Sequence, residues 1–236
     1  MRTFIRTCFV TSVIAILTSS YCYGQAALLV LLFGEKLATE KFHLTIDMGM
    51  SVSTLPGLEQ KKPIAGLNFG MGTFVKLNEK WSLTPEFKPL SRGGAKGVKP
   101  LITDVNVLDP ESEFIFNYID VPVLIQYRFA ERFSVAAGPQ ISFLTSGKQE
   151  TSGSLTSGET IVITNDIKSY MKKTNFSIPI QLAYSLASAR GGKGVNIKVR
   201  YNLSTQEVFS NPELASSNNS RWQFFLSFPY TLDNNE

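Results

Sequence analysis

Cysteine and histidine are almost absent from this 236-residue chain, which has two cysteines and one histidine. That scarcity excludes a zinc ribbon and a disulfide-rich scaffold. Charged residues make up only 18% of the chain, and no run reaches the roughly 18 consecutive apolar residues of a membrane-spanning helix. The net charge of +4 is spread thinly, so it does not predict nucleic-acid binding. Because 43% of the residues are hydrophobic, the chain can still bury a core.

The first 24 residues have the pattern of a secretory signal peptide. Two arginines are their only charges, an apolar stretch covers residues 8–17, and Cys22 and Gly24 precede an expected cleavage before Gln25. The apolar stretch is too short to span a membrane. Because both cysteines precede the cleavage point, the sequence predicts an exported, cysteine-free mature chain.

A strict alternation of apolar and polar residues begins at Phe42. Only a strand places such a pattern on one face, because strand side chains alternate with a period of two. We predict eight strands, over residues 42–53, 65–77, 81–88, 119–129, 133–143, 176–186, 195–204 and 222–230. Each has roughly the 10 residues with which a tilted strand crosses a bilayer, and the even number is typical of outer-membrane barrels.

Short and long connections alternate between these strands. Tight turns are expected at 78–80, 130–132 and 188–193, and long loops over 91–117, 145–175 and 204–221. A meander closed into a barrel places all short turns at one rim and all long loops at the other. We expect the short-turn rim to face the periplasm.

The polar phase of the stripes carries charged and amide side chains, whereas no charge occupies the middle of an apolar phase. An Arg or Lys facing lipid at the midplane would cost about 2–4 kcal/mol. We therefore predict that the apolar phase faces lipid and that the polar phase fills the lumen as a paired network. The predicted lumen residues are Asp47, Glu86, Lys88, Asp120, Gln126, Arg128, Gln140, Lys198 and Arg200.

Glycine and proline add two local expectations. Gly66, Gly70 and Gly72 share one phase of the second strand and are expected to make room for long neighbours such as Arg128 or Lys198. Each proline inside a stripe removes a ladder donor. Pro122 and Pro139 fall nearly opposite each other on adjacent strands, which predicts bulges or a shared break there.

Two features could carry chemistry. His43, with Asp47 and Ser51 or Ser53, offers the side chains of a catalytic triad, but same-face neighbours on one strand lie roughly 7 Å apart and parallel, so they do not converge. We expect a rim histidine, with no catalytic residue, cofactor or metal. The stretch from Arg92 to Lys99, which contains Lys96, is basic and glycine-rich, and it predicts contact with anionic lipopolysaccharide.

Three short motifs carry a family resemblance: Leu31-Leu32-Phe33-Gly34 before the first strand, Asn117-Tyr118-Ile119-Asp120-Val121-Pro122 at the fourth, and Ala137-Gly138-Pro139-Gln140 in the fifth. They resemble the PorT-like outer-membrane β-barrel family of Bacteroidota. The resemblance covers about residues 25–230. It implies an eight-stranded barrel in the outer membrane, with a link to protein secretion in some members and no catalytic residues.

These observations predict an all-β protein, an eight-stranded antiparallel up-and-down transmembrane β-barrel over residues 42–232. Residues 25–41 are expected to form a periplasmic segment and 233–236 a tail. The predicted function is non-enzymatic, with loops for binding or assembly in the outer membrane of a Gram-negative bacterium. Expected partners are outer-membrane lipid, lipopolysaccharide and secretion or envelope proteins, without nucleic acid. The alternatives are a lipid-modifying enzyme, a soluble lipocalin-like lipid binder and a diffusion pore.

Overall fold

The computed structural model describes residues 41–59, 62–102, 108–155, 157–186, 194–210 and 217–230. The chain divides into two units, Met1–Ala38 and Thr39–Glu236, and the described residues all belong to the second. The expectations for the signal peptide, for nearly all of the 25–41 segment, for the turn at 188–193 and for the 233–236 tail therefore lie outside the described residues.

Ten strands form within the described residues. They are β1 (Phe42–Thr54), β2 (Lys62–Lys76), β3 (Trp81–Val98), β4 (Leu108–Arg128), β5 (Phe133–Ala137), β6 (Gln140–Ser154), β7 (Thr160–Asp166), β8 (Thr174–Ser185), β9 (Asn196–Ser204) and β10 (Ser220–Tyr230). A single 3-10 turn, Lys168–Tyr170, follows β7. In this part of the chain there is no helix long and apolar enough to cross a membrane.

The strands close into an antiparallel ring. β1 pairs with both β2 and β10, which joins the two ends of the chain of strands. β5 and β6 are two halves of one wall strand, because each pairs with β4 on one side and with β8 on the other. The ring therefore has eight members, and β7 lies outside it, paired with β6. The predicted eight-stranded up-and-down barrel is confirmed.

The wall strand breaks at Gly138–Pro139, between β5 and β6. On β4, Ile125 faces Ala137 before the break and Pro122 faces Gln140 after it, so the register is unchanged across the gap. The Val123 amide donates to the Pro139 carbonyl at 2.9 Å, which keeps the two strands together. The expected break is present in one strand only, and the expected bulge at this position is wrong.

A bulge does occur at another proline. The pairing of β3 with β4 shifts by one residue between Lys88 and Ser91, around Pro89, and both Lys88 and Ser91 are fully buried. Proline lacks the amide hydrogen that a ladder position requires, and an extra residue reverses the inward phase of the strand beyond it. The inward phase that is continuous up to Lys88 is therefore interrupted at this point.

Two of the predicted long loops are mostly strand, so the expectations for 91–117 and 145–175 are wrong in this respect. β3 continues to Val98, β4 begins at Leu108, and β6 reaches Ser154 before turning into β7. Outside lipid a strand has no need of an apolar outer face, so it loses the alternation that identified the others. Arg92 and Lys96 consequently lie in β3 rather than in a loop.

The barrel is apolar outside and polar inside. On β1, Met48 and Met50 are about half exposed (53% and 50%), whereas Asp47 and Ser51 are fully buried. The same alternation runs through the other wall strands, as in β10, where Phe224 is exposed and Gln223 is buried. This orientation is the reverse of the one that a soluble lipocalin-like barrel requires.

A hydrophobic core occupies the long-loop end of the interior. It joins inward residues of the wall to residues of the connecting segments: Leu55, Ala95, Val98, Phe114, Phe116, Tyr118, Leu144, Ile167, Met171, Val208 and Phe209. The prediction of a wholly polar lumen is therefore wrong at this end. Phe114, Phe116 and Tyr118 keep the inward phase of β4, but they lie beyond the charged levels of the barrel.

Candidate functional site

Asp47 joins two lysines in the middle of the lumen. Its Oδ2 atom accepts a hydrogen bond from Lys88 Nζ at 2.8 Å, and its Oδ1 atom accepts one from Lys198 Nζ at 3.0 Å. β1 brings Asp47 inward, while β3 and β9 supply the lysines from either side. All three side chains are shielded from solvent, so the carboxylate and its lysines depend on one another for solvation.

Glu86 and Arg200 form a second ion pair against the first. Arg200 Nη2 lies 2.7 Å from both carboxylate oxygens of Glu86. The Nε atom of Arg200 donates to Gln181 Oε1 at 3.1 Å, which fixes the guanidinium from β8. Lys88 Nζ lies 3.4 Å from Glu86 Oε2, and Lys198 Nζ lies 3.8 Å from Glu86 Oε1. The two groups therefore form one network of five charged side chains: Asp47, Glu86, Lys88, Lys198 and Arg200.

Two ion pairs cross the barrel from wall to wall. β3, which carries Glu86, and β9, which carries Arg200, are four places apart in the ring of eight and therefore lie on opposite walls. The same is true of β4 and β10, which join Asp120 to Arg221 at 3.1 Å. An eight-stranded barrel has an interior that side chains can just fill, and these two bridges obstruct it at successive levels.

Aromatic rings lie against the cations of both bridges. Lys88 Nζ lies 4.0 Å from the ring centre of Phe225, and the Arg200 guanidinium carbon lies 5.2 Å from it. In the second bridge, the guanidinium carbon of Arg221 lies 5.5 Å from the ring centre of Tyr118. The five-membered network has three cations and two carboxylates. The excess positive charge is favourably placed over the electron-rich face of Phe225.

A cavity of about 70 Å³ opens at the short-turn rim and ends at the ion network. Glu86 and Lys198 line its inner end, and Gln126 and Arg128 line its wall. His43 also lines it, buried and stacked on Phe74 with ring centres 4.7 Å apart. The cavity therefore leads inward from one rim and stops at the charged side chains.

The opposite end is closed by the hydrophobic core. Phe209 is fully buried and meets Phe114 and Phe116 edge to face, with ring centres 5.9 and 6.2 Å apart. Two backbone hydrogen bonds of 2.8 Å hold its segment to the one after β7: the Lys172 amide donates to the Val208 carbonyl, and the Ser210 amide donates to the Tyr170 carbonyl. The connecting chain thus folds back over the interior and seals it.

The residues considered for a catalytic triad are engaged elsewhere. Ser51 donates to the Arg92 carbonyl at 2.9 Å, and Ser53 donates to Asn219 Oδ1 at 2.7 Å. Asp47 is held by its two lysines. His43 and Ser51 lie eight positions apart on one strand, or roughly 26 Å. Across the described ranges, no group of three or more His, Cys, Asp or Glu side chains could hold a metal ion.

The nine predicted lumen residues separate into four places. Asp47, Glu86, Lys88, Lys198 and Arg200 form the ion network, and Asp120 joins the second bridge. Gln140 is buried in the lumen and donates to Ser142 at 3.1 Å. Gln126 and Arg128 remain at the short-turn rim. The structure thus brings five of the nine together in one cluster.

Sequence reasoning missed two members of this site, Arg221 and Phe225; it placed Gln181 in the inward phase but not against Arg200. Arg221 stands one position before the stripe that begins at Trp222, so extending that alternation by one residue finds it. Phe225 occupies a polar-phase position, and only the cations above it reveal its use.

The three basic residues predicted to contact anions are already paired with carboxylates. Lys96 lies 3.0 Å from Glu113 and Arg92 lies 4.0 Å from it. Lys99 lies 3.1 Å from Glu59, with both side chains exposed. Exposed ion pairs of this kind contribute little to stability. An external anion could therefore compete with the two glutamates for the lysines.

The small residues of β2 make room for different neighbours than expected. A Cβ atom on Gly70 would meet Lys88 Cγ at 2.5 Å, and one on Gly66 would overlap the Arg92 side chain. The expected neighbours, Arg128 and Lys198, are not the ones accommodated. Gly70 instead lets the Lys88 side chain reach into the lumen, whereas Gly66 makes room for Arg92, which stays partly exposed beside Glu113.

The closed antiparallel ring, its apolar exterior and its charged interior agree with the comparison of the sequence with family models. Residues 35–210 match the family described as "Outer membrane protein beta-barrel domain". The chain therefore belongs to this family and is an outer-membrane β-barrel protein of Gram-negative bacteria. The comparison with curated proteins gives no match.

Solved outer-membrane proteins resemble the chain at low identity. The attachment invasion locus protein Ail of Yersinia pestis is 13% identical, with a TM-score of 0.41 over 80% of this chain and 99% of Ail. OprG of Pseudomonas aeruginosa is 13% identical, with a TM-score of 0.41 over 81% and 98%. Neisserial surface protein A is 9% identical, with a TM-score of 0.40 over 80% and 96%. Likeness at this level transfers no function.

Proposed function

We propose that this protein is a closed, non-enzymatic outer-membrane barrel whose long-loop end binds or assembles with other envelope components. The observation that carries the proposal is the double obstruction of the lumen. Glu86–Arg200 and Asp120–Arg221 cross it, and the core around Phe209 seals its long-loop end. A barrel obstructed in this way offers its ends, rather than its interior, for function.

The long-loop end has the material for such a role. β3, β4 and β6 are 18, 21 and 15 residues long, beyond the 9–11 or so that a tilted strand needs to cross a bilayer. β7 adds a further strand to β6 outside the ring. These extensions form an ordered sheet that continues the barrel wall, which suits a surface for binding or assembly better than mobile loops do.

Conductance across planar bilayers tests the closed lumen. The wild-type protein is expected to insert without producing discrete current steps. A variant with Glu86→Ser, Arg200→Ser, Asp120→Ser, Arg221→Ser and Phe209→Ala removes both bridges and the centre of the core, and it should conduct if it folds. Heat-modifiable migration on a gel checks the folding of both proteins. Regular openings of the wild-type barrel would overturn the proposal.

Two finer parts of the proposal have separate support: the PorT-like resemblance supports assembly with secretion or envelope proteins, and the pattern of residues 1–24 supports export through a signal peptide that ends before Gln25. The mass of the protein purified from outer membranes tests the cleavage directly. Incubation with phospholipid and lipopolysaccharide tests the non-enzymatic role, because both lipids should keep their masses. A change in either mass would favour the lipid-modifying alternative.

We also propose that lipopolysaccharide contacts the barrel at Arg92, Lys96 and Lys99. Lys96 and Lys99 are 47% and 85% exposed, and their carboxylate partners are within reach of water. Neutralising all three with Gln should weaken binding to lipopolysaccharide micelles. Neutralising Lys76, Lys80 and Arg132 at the other rim provides the control and should have no effect. Equal loss in both variants would indicate a charge effect without a defined surface.

A further inference from the structure

β7 presents an open strand edge. Among the described residues its only strand partner is β6. The hairpin is closed by the Leu155 amide donating to the Glu159 carbonyl at 2.8 Å, and at its base the Ile167 amide donates to Gly147 at 3.0 Å. Because hydrogen-bonded pairs alternate along an antiparallel ladder, the odd-numbered residues of β7 bond to β6. The amides and carbonyls of Thr160, Val162 and Thr164 therefore point away from β6.

Within the part of the chain that the structure describes, this edge lacks the usual protection. Natural edge strands are blunted by lysine, proline, bulges or a covering segment. Residues 160–165 read Thr-Ile-Val-Ile-Thr-Asn, without charge, proline or glycine. Val162 is 66% exposed, among the highest values for a large hydrophobic side chain in the described part of the chain. Such a strand has the composition of one that pairs on both sides.

The sequence of the edge is a palindrome. Thr-Ile-Val-Ile-Thr reads the same in both directions about Val162. In an antiparallel pair with a second copy, Val162 faces itself, Ile161 faces Ile163, and Thr160 faces Thr164. A self-complementary surface of this kind is what a two-fold symmetric interface requires.

The flanking charges also fit this register. Glu159 would face Asn165 of the second copy, and Asp166 would face Gly158. No two like charges meet, whereas like charges directly opposite each other destabilise a strand pair. The same register matches the directions of the backbone, because Thr160, Val162 and Thr164 all point their amides and carbonyls outward.

We infer that β7 docks a second copy of this chain by antiparallel pairing centred on Val162, which joins two β6–β7 hairpins into one sheet. The inference rests on the proposed function only in taking the long-loop end as the binding surface. Three hydrogen-bonded pairs form, Thr160 with Thr164, Val162 with Val162 and Thr164 with Thr160. Each pair exchanges two backbone hydrogen bonds, which gives about six in all. The cross-strand Ile161–Ile163 and Thr160–Thr164 contacts add side-chain packing on the two faces.

Disulfide trapping of the full-length protein in detergent tests the register, in a Cys8→Ser, Cys22→Ser background. Val162→Cys places two sulfhydryls on residues whose Cα atoms are about 5.5 Å apart, within the usual disulfide range of about 4.4–6.8 Å. Oxidation should give a covalent dimer. Ile161→Cys alone should not, because its partner is residue 163, but a mixture with Ile163→Cys should. Because the paired strands run in opposite directions and the sheet continues the barrel wall, the second barrel points the opposite way, as in two facing membranes, and detergent micelles allow this arrangement.

A backbone test separates strand pairing from chance collision. Thr164→Pro in the Val162→Cys chain removes an outward amide without touching the β6 ladder, and it should abolish most of the dimer. Thr164→Ala keeps the amide and should leave the dimer intact. Equal trapping at 161 and 162, or no trapping at 162 in a folded barrel, would overturn the inference. Neither result bears on the conductance test, so the closed-barrel proposal stands or fails separately.

Discussion

Glu86 on β3 and Arg200 on β9 face each other across the full width of the barrel, with Arg200 Nη2 2.7 Å from both carboxylate oxygens. Lys88 and Lys198 approach the same carboxylate at 3.4 and 3.8 Å. The glutamate is therefore shared by three cations, whereas Arg200 has Glu86 as its carboxylate. This imbalance makes the two residues of one bridge unequal in their contribution to stability.

Replacing Glu86 should cost more than replacing Arg200. Glu86→Gln leaves Lys88, Lys198 and Arg200 with Asp47 alone, and an uncompensated buried charge costs about 3–5 kcal/mol. Arg200→Met leaves two lysines with two carboxylates, so the charges balance. Its main cost is the loss of the hydrogen bond to Gln181, and an unsatisfied buried polar group costs about 1–3 kcal/mol. Urea unfolding in lipid vesicles at neutral pH measures both free energies. An Arg200→Met variant less stable than Glu86→Gln would contradict the charge count.

Gly70→Ala should destabilise the barrel by about 1–3 kcal/mol, the usual cost of overpacking. The added methyl would meet Lys88 Cγ at 2.5 Å and the Phe87 carbonyl oxygen at 2.7 Å, and the carbonyl cannot rotate away. Gly72→Ala is the matched comparison and should cost less, because its contacts are longer and lie on side chains, Thr45 Oγ1 at 2.9 Å and Glu86 Cγ at 3.0 Å. Samples are heated to a series of temperatures before electrophoresis. The temperature at which each variant loses the migration of the folded barrel ranks the stabilities of the two variants. Equal tolerance of both would show that the ladder relaxes freely.

Phe209→Ala should lower the free energy of unfolding by about 3–5 kcal/mol, because it leaves a cavity among aromatic residues. The loosened segment should also become sensitive to protease in folded protein. Tyr170→Ala, at a half-exposed neighbouring position, controls for general loosening and should change little. Unchanged protease resistance in Phe209→Ala would mean that the backbone hydrogen bonds alone hold the segment.

The hydrogen bond from Lys76, with Nζ 2.7 Å from Glu79 Oε1, holds the pKa of the Glu79 carboxyl below its usual range. A lowered carboxyl pKa in the folded state adds stability above the ordinary value of 4.5, and that stability is lost as the pH falls through the lowered pKa. Lys76→Met should return the pKa of Glu79 toward 4.5. Carbon NMR titration of the labelled protein in micelles measures it. An unchanged value would assign the effect to other charges at the turn.

The wall strands were predictable because lipid enforces a rule on them. Every outward residue in the apolar band must be apolar, so the alternation around Met48 or Phe224 identifies both the strand and its orientation. The same rule ceases at the membrane boundary. The strand extensions beyond that boundary carry polar residues such as Ser112 and Thr151, whose hydroxyl oxygens lie 2.8 Å apart on neighbouring strands. In the sequence these extensions resemble loops.

The pairing across the lumen was beyond the reach of the sequence. Asp120 and Arg221 are 101 positions apart, and only closure of the ring brings β4 opposite β10. The hydrophobic core has the same origin, because Phe209 belongs to a segment without alternation and gains its place by folding back. Periodicity reports which face a side chain occupies, but not which wall it meets.

The apolar exterior around a closed charged interior is tested most directly by spin labels in lipid vesicles. The labels are placed at consecutive positions 222–228 of β10, and the accessibility of each label to oxygen is measured. Trp222, Phe224, Leu226 and Phe228 are 40–50% exposed, whereas Gln223, Phe225 and Ser227 are 0–2% exposed. Accessibility to oxygen dissolved in lipid should oscillate with a period of two and peak at the even positions. A flat profile, or peaks at the odd positions, would contradict it.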